Sequence, residues 1–301
     1  MKPSIFKHIL LSIFALLNFS SVCYAQIQVT DFLGRELSLD KPAKRVIALA
    51  PHIVENVFAA GAGQTLVGAS EHSDYPKAAE HIPRVGNSQT LNIESLIALN
   101  PDLVITWHSG RAAQLLPKLE RLGLKVYASN PKSLDDIPKS LRDYGHLTGY
   151  TDQSEKQAKA FETRLEKLKQ LYQANLTEEE RVPVFYQVWS DPLQTLNGQH
   201  IVSDVLALCG GKNLFSDALA VAPRVSIEAV IDAAPLAILT SWKSDSSPNP
   251  LTMWHRWQNI PAVKNQALYT VHPDLIHRHS PRILEGAARI CEHLTNVRKM
   301  P

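Results

Sequence analysis

The pattern of apolar and polar positions predicts one long helix near the middle of the chain. From Ser154 to Asn175 the sequence contains no Gly or Pro. Apolar residues recur there at spacings of three and four, which gives one apolar stripe on a charged cylinder: Ala158, Phe161, Leu165, Leu168 and Tyr172. Ser154 and Gln157 fit a capping box at the amino end. At 1.5 Å per residue the helix would be about 33 Å long, so we interpret it as a stiff connector.

On both sides of this helix, short buried-strand patterns alternate with helix patterns. After an edge hairpin at 27–39, the first half has predicted strands at 44–50, 64–70, 102–107 and 125–128, and predicted helices at 51–61, 93–99, 111–122 and 134–147. The second half has predicted strands at 182–189, 236–242 and 267–271, and predicted helices at 200–209, 227–233, 252–258 and 281–297. We expect Gly210 and Gly211 to cap the helix at 200–209. Such alternation is typical of right-handed crossovers and mainly parallel sheets. The predicted fold is α/β, with two Rossmann-like lobes at 26–150 and 179–301 joined by one rigid linker helix at 151–178.

An internal repeat relates the two predicted lobes. NIESLIALNPDLVIT, which starts at Asn92, matches SIEAVIDAAPLAILT, which starts at Ser226, without a gap. Each copy predicts a short helix, a proline-marked turn and a buried strand. A generic α/β pattern could produce the same match by chance. If the repeat is real, Glu94 and Glu228 occupy equivalent positions.

The amino terminus has the pattern of a secretory signal peptide at residues 1–25. Lys2 and Lys7 precede an apolar run, and a Cys-Tyr-Ala end permits cleavage after Ala25. A lipoprotein anchored through Cys23 fits less well, because Val22 stands where a small residue is expected. We therefore predict an exported protein.

Charge and cysteine content narrow the function classes. The chain has 31 Lys and Arg against 29 Asp and Glu, and removal of Lys2 and Lys7 would leave a net charge of zero. This balance suggests neither a nucleic-acid partner nor an anionic membrane surface. Cys209 and Cys291 would remain after cleavage. In an exported chain they either pair, or stay as two buried free thiols.

Candidate chemistry lies in the loops that follow the predicted strands, where ligands of parallel sheets bind. These loops are rich in aromatic and imidazole side chains, as in His72–Tyr75, Trp107–Gly110, Trp242–Lys243 and Asp274–His279. Such groups suit a large, partly apolar ligand held between lobes. The sequence contains no GxSxG, phosphate-binding loop or HExxH motif. It therefore favours a binding protein, with no resident cofactor or metal, over an enzyme.

The motifs together resemble the helical-backbone (class III) periplasmic binding proteins of ATP-binding cassette importers, in particular those that bind cobalamin. The segments that carry this resemblance are RVIALAP, AAG, SDYP, the run from Leu91 to Ile105, LALCGGKNLF, VSIEAV and SPRILEGAARIC. The resemblance implies a monomer that binds a corrinoid as cargo between its lobes. It also implies delivery of the corrinoid to an inner-membrane permease dimer, and a Cys209–Cys291 disulfide.

The resemblance also implies roles for single residues. The acidic residues of the family that dock on the permease match Glu94 and Glu228, and its cleft tryptophan matches Trp107. His72 replaces a cobalamin-contacting tyrosine, and other aromatic positions of the family are Ser88, Gln194 and Ala222 here. The ligand loop of the family matches Asp274, Leu275, Ile276, His277 and Arg278, where Arg278 would donate to corrin amides and Asp274 would orient it.

Two alternatives stay open. The same architecture could carry haem or a ferric siderophore, with His72 or Tyr75 as an iron contact. A different class is an exported metal-dependent enzyme that uses His72, His108 and His277. For a corrinoid, His72 would either hydrogen-bond an amide or approach the cobalt.

Overall fold

The computed structural model describes residues 26–87, 89–173, 176–244 and 248–300. The predicted signal peptide, residues 1–25, lies outside this part of the chain. Among the residues that the structure describes, no helix has both the length and the apolar character needed to cross a lipid bilayer.

The amino-terminal half is a parallel sheet surrounded by helices, preceded by an edge hairpin. The hairpin pairs two antiparallel strands, β1 (Ile27–Thr30) and β2 (Glu36–Leu39). The sheet contains β3 (Val46–Ala48), β4 (Leu66–Ala69), β5 (Leu103–Trp107) and β6 (Val126–Ser129). These strands lie in the order β4-β3-β5-β6 and are all parallel. The helices are α1 (Pro51–Ala59), α2 (Ile93–Ala98), α3 (Leu115–Arg121) and α4 (Asp136–Thr148).

The long connecting helix is α5 (Thr151–Tyr172), which has the predicted 22 residues but begins three residues earlier than predicted. The capping box at Ser154 is wrong, because Ser154 lies inside the helix and its Oγ donates to the carbonyl oxygen of Thr151 at 2.9 Å. The reason is the corner between α4 and α5. Gly149, with φ +82°, ends α4, and α5 starts two residues later. A Cβ at Gly145 would lie 1.9 Å from Ser154 Oγ, so the small residues here let the two helices touch.

The carboxyl-terminal half repeats the same kind of sheet. Its strands are β7 (Val182–Gln187), β8 (Trp189–Ser190), β9 (Leu193–Gln194), β10 (Gly211–Asn213), β11 (Ala237–Ser241) and β12 (Leu268–Val271). Four of them form a parallel sheet in the order β10-β7-β11-β12, and β8 and β9 form a small antiparallel hairpin. The helices are α6 (Ile201–Leu208), α7 (Ile227–Asp232), α8 (Pro261–Lys264) and α9 (Ile283–Arg298).

The two glycines after α6 have different structural roles. Gly210, with φ +69°, ends the helix as predicted. Gly211 is not a cap, because it begins β10 and pairs with Val182. Short 3₁₀ helices complete the described chain at Gly63–Thr65, Lys77–His81, Gly110–Gln114, Pro250–Arg256 and Pro273–Leu275.

The predicted internal repeat is confirmed. In each four-stranded parallel sheet the strand that comes first in sequence lies second and the repeat strand lies third, as β3 and β5 in one lobe and β7 and β11 in the other. Asn92 caps α2 and Ser226 caps α7, each accepting from the backbone N–H three residues later. Asn100 and Ala234, at matching positions of the turn, have φ values of +43° and +47°. The two copies therefore share even an uncommon left-handed turn residue.

The cores show how the halves are held together. Two apolar clusters cover the two faces of the amino-terminal sheet. A third cluster holds the carboxyl-terminal sheet together with Phe161 and Leu165 of α5 and with Ile137 and Leu141 of α4. Within it, the disulfide predicted between Cys209 and Cys291 is confirmed. The connecting helix is therefore packed into the core of the second lobe along one face.

Candidate ligand-binding cleft

The two lobes meet where the carboxyl ends of their sheets face each other, and aromatic and imidazole rings cross this boundary. We call them the ring row: Trp107, His52, His279, His200, His277 and Tyr186. Trp107 ends β5, and His52 lies in the first turn of α1 after β3. The second lobe contributes the other four, from β7, from the start of α6 and from the loop before α9.

The rings of this row contact their neighbours mostly edge to face. The centroid of His52 lies 5.1 Å from that of Trp107 and 5.4 Å from that of His279. His279 is 5.9 Å from His200, and His200 is 6.4 Å from His277. His277 is 6.0 Å from Tyr186. These separations are typical of aromatic contacts, so the row is continuous from one lobe to the other.

Burial keeps the imidazoles of the ring row neutral. It lowers the pKa of His200 to about 3 and the pKa values of His277 and His279 to about 4. Burial, followed by the nearby His279 and Arg278, also lowers the pKa of His52 well below its usual range. At neutral pH the boundary between the lobes therefore presents uncharged rings.

Hydrogen bonds fix the orientation of several rings. His279 Nδ1 donates to the carbonyl oxygen of Pro131 at 2.9 Å. His277 Nε2 lies 3.1 Å from Tyr186 Oη and 2.9 Å from Ser241 Oγ. His52 Nε2 and Trp107 Nε1 are buried and have no hydrogen-bond partner among the residues that the structure describes. These two atoms therefore have hydrogen-bonding capacity that no described residue uses.

An ionic cluster around Arg278 ties the lobes together beside the ring row. The guanidinium contacts carboxylates of both lobes, at 2.9 Å for Glu55, 2.8 Å for Asp74 and 2.9 Å for Asp274. It also donates to the carbonyl oxygen of His72 at 3.2 Å. Four of its five N–H groups are thus engaged.

Glu55 is the buried centre of the ionic cluster. Its carboxylate accepts from Arg278, from Ser280 Oγ at 2.5 Å and from Arg282 at 3.3 Å. Burial raises the pKa of Glu55 more than these donors lower it. Arg282 also stacks on the Tyr75 ring, with Cζ 3.8 Å from the ring centroid. The loop that carries His72 and Tyr75 is therefore held from the opposite lobe.

The structure brings together only some of the predicted ligand residues. Trp107 and His277 belong to the ring row, and Asp274 orients Arg278. His72 is exposed, with φ +62°. Leu275 and Ile276 lie inside the core of the second lobe. A Cβ at Gly286 would lie 2.1 Å from the carbonyl oxygen of Leu275, so the lack of a side chain at Gly286 allows α9 to pack closely against the loop that carries Leu275.

Sequence reasoning did not select several residues that the structure places at this boundary: His52, Glu55, Tyr186, His200 and His279. His279 is within a loop that the sequence analysis considered, but His52 and Glu55 lie inside a helix and Tyr186 lies inside a strand. His200 accepts from the backbone N–H of Val202, which is the role of a helix cap. A histidine at the first position of a predicted helix is the one local signal that could have drawn attention to it.

The histidines of the metal-enzyme alternative do not form a site. His277 is bonded to Tyr186 and Ser241, and His108 is only partly buried. Within ranges 26–87, 89–173, 176–244 and 248–300, no three His, Cys, Asp or Glu residues are arranged to hold a metal ion. The geometry offers rings and hydrogen-bonding groups in place of a metal centre.

Glu94 and Glu228 lie at equivalent positions on the two lobes. Each is in the first turn of its helix, two residues after the capping side chain, and each is exposed. Hydrogen bonds from its own backbone N–H and from Ser226 lower the pKa of Glu228. Both carboxylates are thus available to a cationic partner.

Comparison with known proteins gives a consistent result. The model of the periplasmic binding protein family matches residues 46–275. A vitamin B12-binding protein of Vibrio parahaemolyticus is 37% identical over 261 residues, which is 86% of this chain and 92% of that protein. The crystal structure of periplasmic vitamin B12 binding protein BtuF of Vibrio cholerae matches with a TM-score of 0.79 and 38% identity, over 86% of this chain and 99% of that one. A periplasmic heme-binding protein, RhuT from Roseiflexus sp. RS-1, shares the fold at a TM-score of 0.73 and 22% identity, over 85% and 100%.

Proposed function

Because this chain belongs to the periplasmic binding protein family, we propose that it captures cobalamin between its two lobes and delivers it to an inner-membrane ATP-binding cassette permease. Residues 1–25 export the chain and are then removed. Cobalamin, or a closely related corrinoid, is the transported cargo, and it is bound and released without chemical change. The chain is a carrier and performs no catalysis.

The observation that carries this proposal is the ring row at the lobe boundary, found in a chain whose relatives are named vitamin B12-binding proteins. A corrinoid is a broad, partly apolar ring system with amide groups on its rim. Neutral rings can cover its apolar surface.

Some of the predicted ligand residues contact the corrinoid, and the others support the loop that carries them. Trp107, His277 and the exposed His72 contact the corrinoid, and His72 either bonds an amide or approaches the cobalt. Arg278 donates to a corrin amide, while Asp274 holds its guanidinium in place. Leu275 and Ile276 support the loop from the core behind it.

Calorimetric titration of the purified mature protein tests the proposal. Cobalamin and cobinamide, which lacks the nucleotide, are added separately at neutral pH. Binding of cobalamin at micromolar concentration or tighter is expected. Absence of measurable heat with either corrinoid, in a protein that melts cooperatively, would remove the proposal.

Haem is the second candidate cargo, since imidazoles from both lobes line the boundary. Haem or a ferric siderophore would use His72 or Tyr75 as the iron contact. The exposed position of His72 allows this, but Tyr75 stacks on Arg282. A haem-loaded sample whose Soret band stays at the position of free haem would exclude the haem version.

The partner of the loaded protein is the permease dimer, and Glu94 and Glu228 are its contact points. One monomer of this protein presents two equivalent carboxylates, which suits two equivalent cationic pockets on a two-fold symmetric transporter. The repeat supports this arrangement because both residues begin the same helix-turn-strand unit.

A further inference from the structure

The polypeptide chain joins the two lobes on one side of the cleft, through α5. This helix follows α4, which follows β6, the strand at one edge of the first sheet. It packs against α6, and α6 packs against β10 at one edge of the second sheet. The opposite edges of the two sheets are β4 and β12. Two lobes connected on one side can separate on the other, unless contacts hold the β4 and β12 edges together.

The β4 and β12 edges carry two loops that meet across the lobe boundary. The loop after β4 contains His72–Tyr75, and the loop after β12 leads into α9. From the second loop, Arg282 places its Cζ 3.8 Å from the centroid of the Tyr75 ring, and Arg278 contacts Asp74 at 2.8 Å. Tyr75 is 46% exposed and the Asp74 side chain 57% exposed. These contacts therefore form the outer part of a connection between the lobes.

Buried polar contacts continue this connection into the interior. The carboxylate of Glu55 accepts from Ser280 Oγ at 2.5 Å and from Arg282 at 3.3 Å. The next residue, Asn56, donates from Nδ2 to the carbonyl oxygen of His279 at 2.9 Å. Glu55, Asn56 and Ser280 are each at most 3% exposed. In every one of these bonds the donor and the acceptor belong to different lobes, so separation of the lobes at this edge would break all of them.

We call this set of residues the edge clasp: Glu55, Asn56, Tyr75, Ser280 and Arg282. We propose that the edge clasp is a second, non-covalent connection between the lobes, and that its opening sets the rate at which a ligand enters and leaves the cleft. The inference rests on the proposed function. A broad ligand held between two lobes passes in or out when the lobes separate. None of the clasp residues is a predicted corrinoid contact, so the clasp slows entry and release to the same extent.

Arg282 is the positioning residue on which the edge clasp depends. It contacts the buried carboxylate of Glu55 and stacks on the exposed ring of Tyr75, so it links the inner part of the clasp to the outer part. Its side chain is 19% exposed, and partial burial strengthens both interactions. Arg278 bonds the same carboxylate, but it is also a predicted ligand donor. A change at Arg282 therefore alters the clasp and leaves the predicted ligand donor in place.

Stopped-flow measurement of cobalamin binding to the purified mature protein tests the inference. Arg282→Met should raise the association and dissociation rate constants together, each about ten-fold, which corresponds to about 1.4 kcal/mol. Their ratio, the dissociation constant, should change less than about two-fold. Arg282→Lys keeps a positive charge beside Glu55 and should raise both constants less than about three-fold. Ser280→Ala removes one bond to Glu55 and should raise both about three-fold.

Arg289→Met is the matched control, because Arg289 lies exposed on α9, the helix that Arg282 precedes. Both rate constants of this variant should equal those of the unmodified protein. Equality would show that the loss of an arginine from this part of the second lobe does not by itself accelerate ligand exchange. A control variant that exchanges ligand as fast as Arg282→Met would contradict the inference.

The pattern of the two rate constants separates a clasp from a ligand contact and from general damage. A rise in the dissociation rate constant alone would make Arg282 a ligand contact, and unchanged rate constants would show that the clasp does not limit exchange. Either result overturns the inference and leaves corrinoid binding intact. Absence of corrinoid binding by the unmodified protein would overturn the proposed function, and the inference with it. Melting curves identify a variant that fails to fold. If Arg282→Met fails to fold, Ser280→Ala provides the comparison, and unchanged rate constants in that variant overturn the inference.

Discussion

Replacement of Arg278 by Met should destabilise the ligand-free protein, because it removes the main cation beside a buried carboxylate. Glu55 is almost fully buried, with a side chain 2% exposed, and Arg278 is 10% exposed. After the replacement, Glu55 would keep only Arg282 at 3.3 Å and the Ser280 hydroxyl. The carboxylate would then be buried with incomplete compensation.

The size of the effect follows from this geometry. Removal of one partner from a buried ion pair typically costs about 3–5 kcal/mol, and the remaining contacts of Glu55 favour the lower end, about 3 kcal/mol. For a chain of this size that free energy corresponds to a decrease in melting temperature of roughly 6–12 °C. Asp74→Asn is the matched control. Asp74 bonds the same guanidinium at 2.8 Å, but its side chain is 57% exposed, so its loss should cost under about 1 kcal/mol.

Urea unfolding followed by circular dichroism at pH 7 measures both variants against the unmodified protein. The comparison requires equal m values, because a changed slope would indicate a different unfolding transition. Glu55→Gln combined with Arg278→Met should recover part of the loss, since the uncompensated charge is gone. If Arg278→Met costs no more than Asp74→Asn, the buried pair does not stabilise the lobe boundary and the reasoning fails.

Three further predictions follow from other parts of the fold. Acidification from pH 6.5 to 5 should lower the urea midpoint, because His200, His277 and His279 have pKa values of about 3 to 4 in the folded protein and therefore protonate first in the unfolded state. Each of the three contributes up to about 1.4 kcal/mol per pH unit. A urea midpoint that stays constant over this pH range would contradict this prediction. So would a His200→Asn variant whose midpoint changes with pH as steeply as that of the unmodified protein. Glu94→Lys with Glu228→Lys should leave ligand affinity unchanged but abolish stimulation of the permease ATPase; normal stimulation would show that docking occurs elsewhere. Replacement of Cys209 and Cys291 by Ala should lower the free energy of unfolding by about 4 kcal/mol, since the bridge spans 82 positions; reduction of the unmodified protein should have the same effect in urea unfolding.

The sequence was sufficient to predict features that have a local pattern. The repeat is evident from five identical residues among fifteen aligned positions, and it corresponds to α2-β5 and α7-β11, including the left-handed turn residues Asn100 and Ala234. The connecting helix was evident because it lacks breaking residues over its whole length. These features depend on residues that are close in sequence, where spacing and capping preferences act directly.

Features that depend on tertiary contacts were not predictable from the same patterns. Ser154 resembles a cap, but the contact between α4 and α5 at Gly145 moves the helix start to Thr151. Glu55 and Arg278 are 223 positions apart, and no local signal marks Glu55 as an ionic partner. The resemblance pointed to Arg278 as a ligand donor, and the structure adds its bonds to both lobes.

The apolar side chains of α4 and α5 that enter the second core have a consequence for how the molecule melts. Ile137 and Leu141 come from the first half of the chain, yet they pack with the second. A fragment that ended at residue 150 would leave these side chains uncovered in water, so neither half is a self-sufficient folding unit. Differential scanning calorimetry of the whole chain should accordingly record a single unfolding endotherm, because both lobes lose the shared core in the same transition.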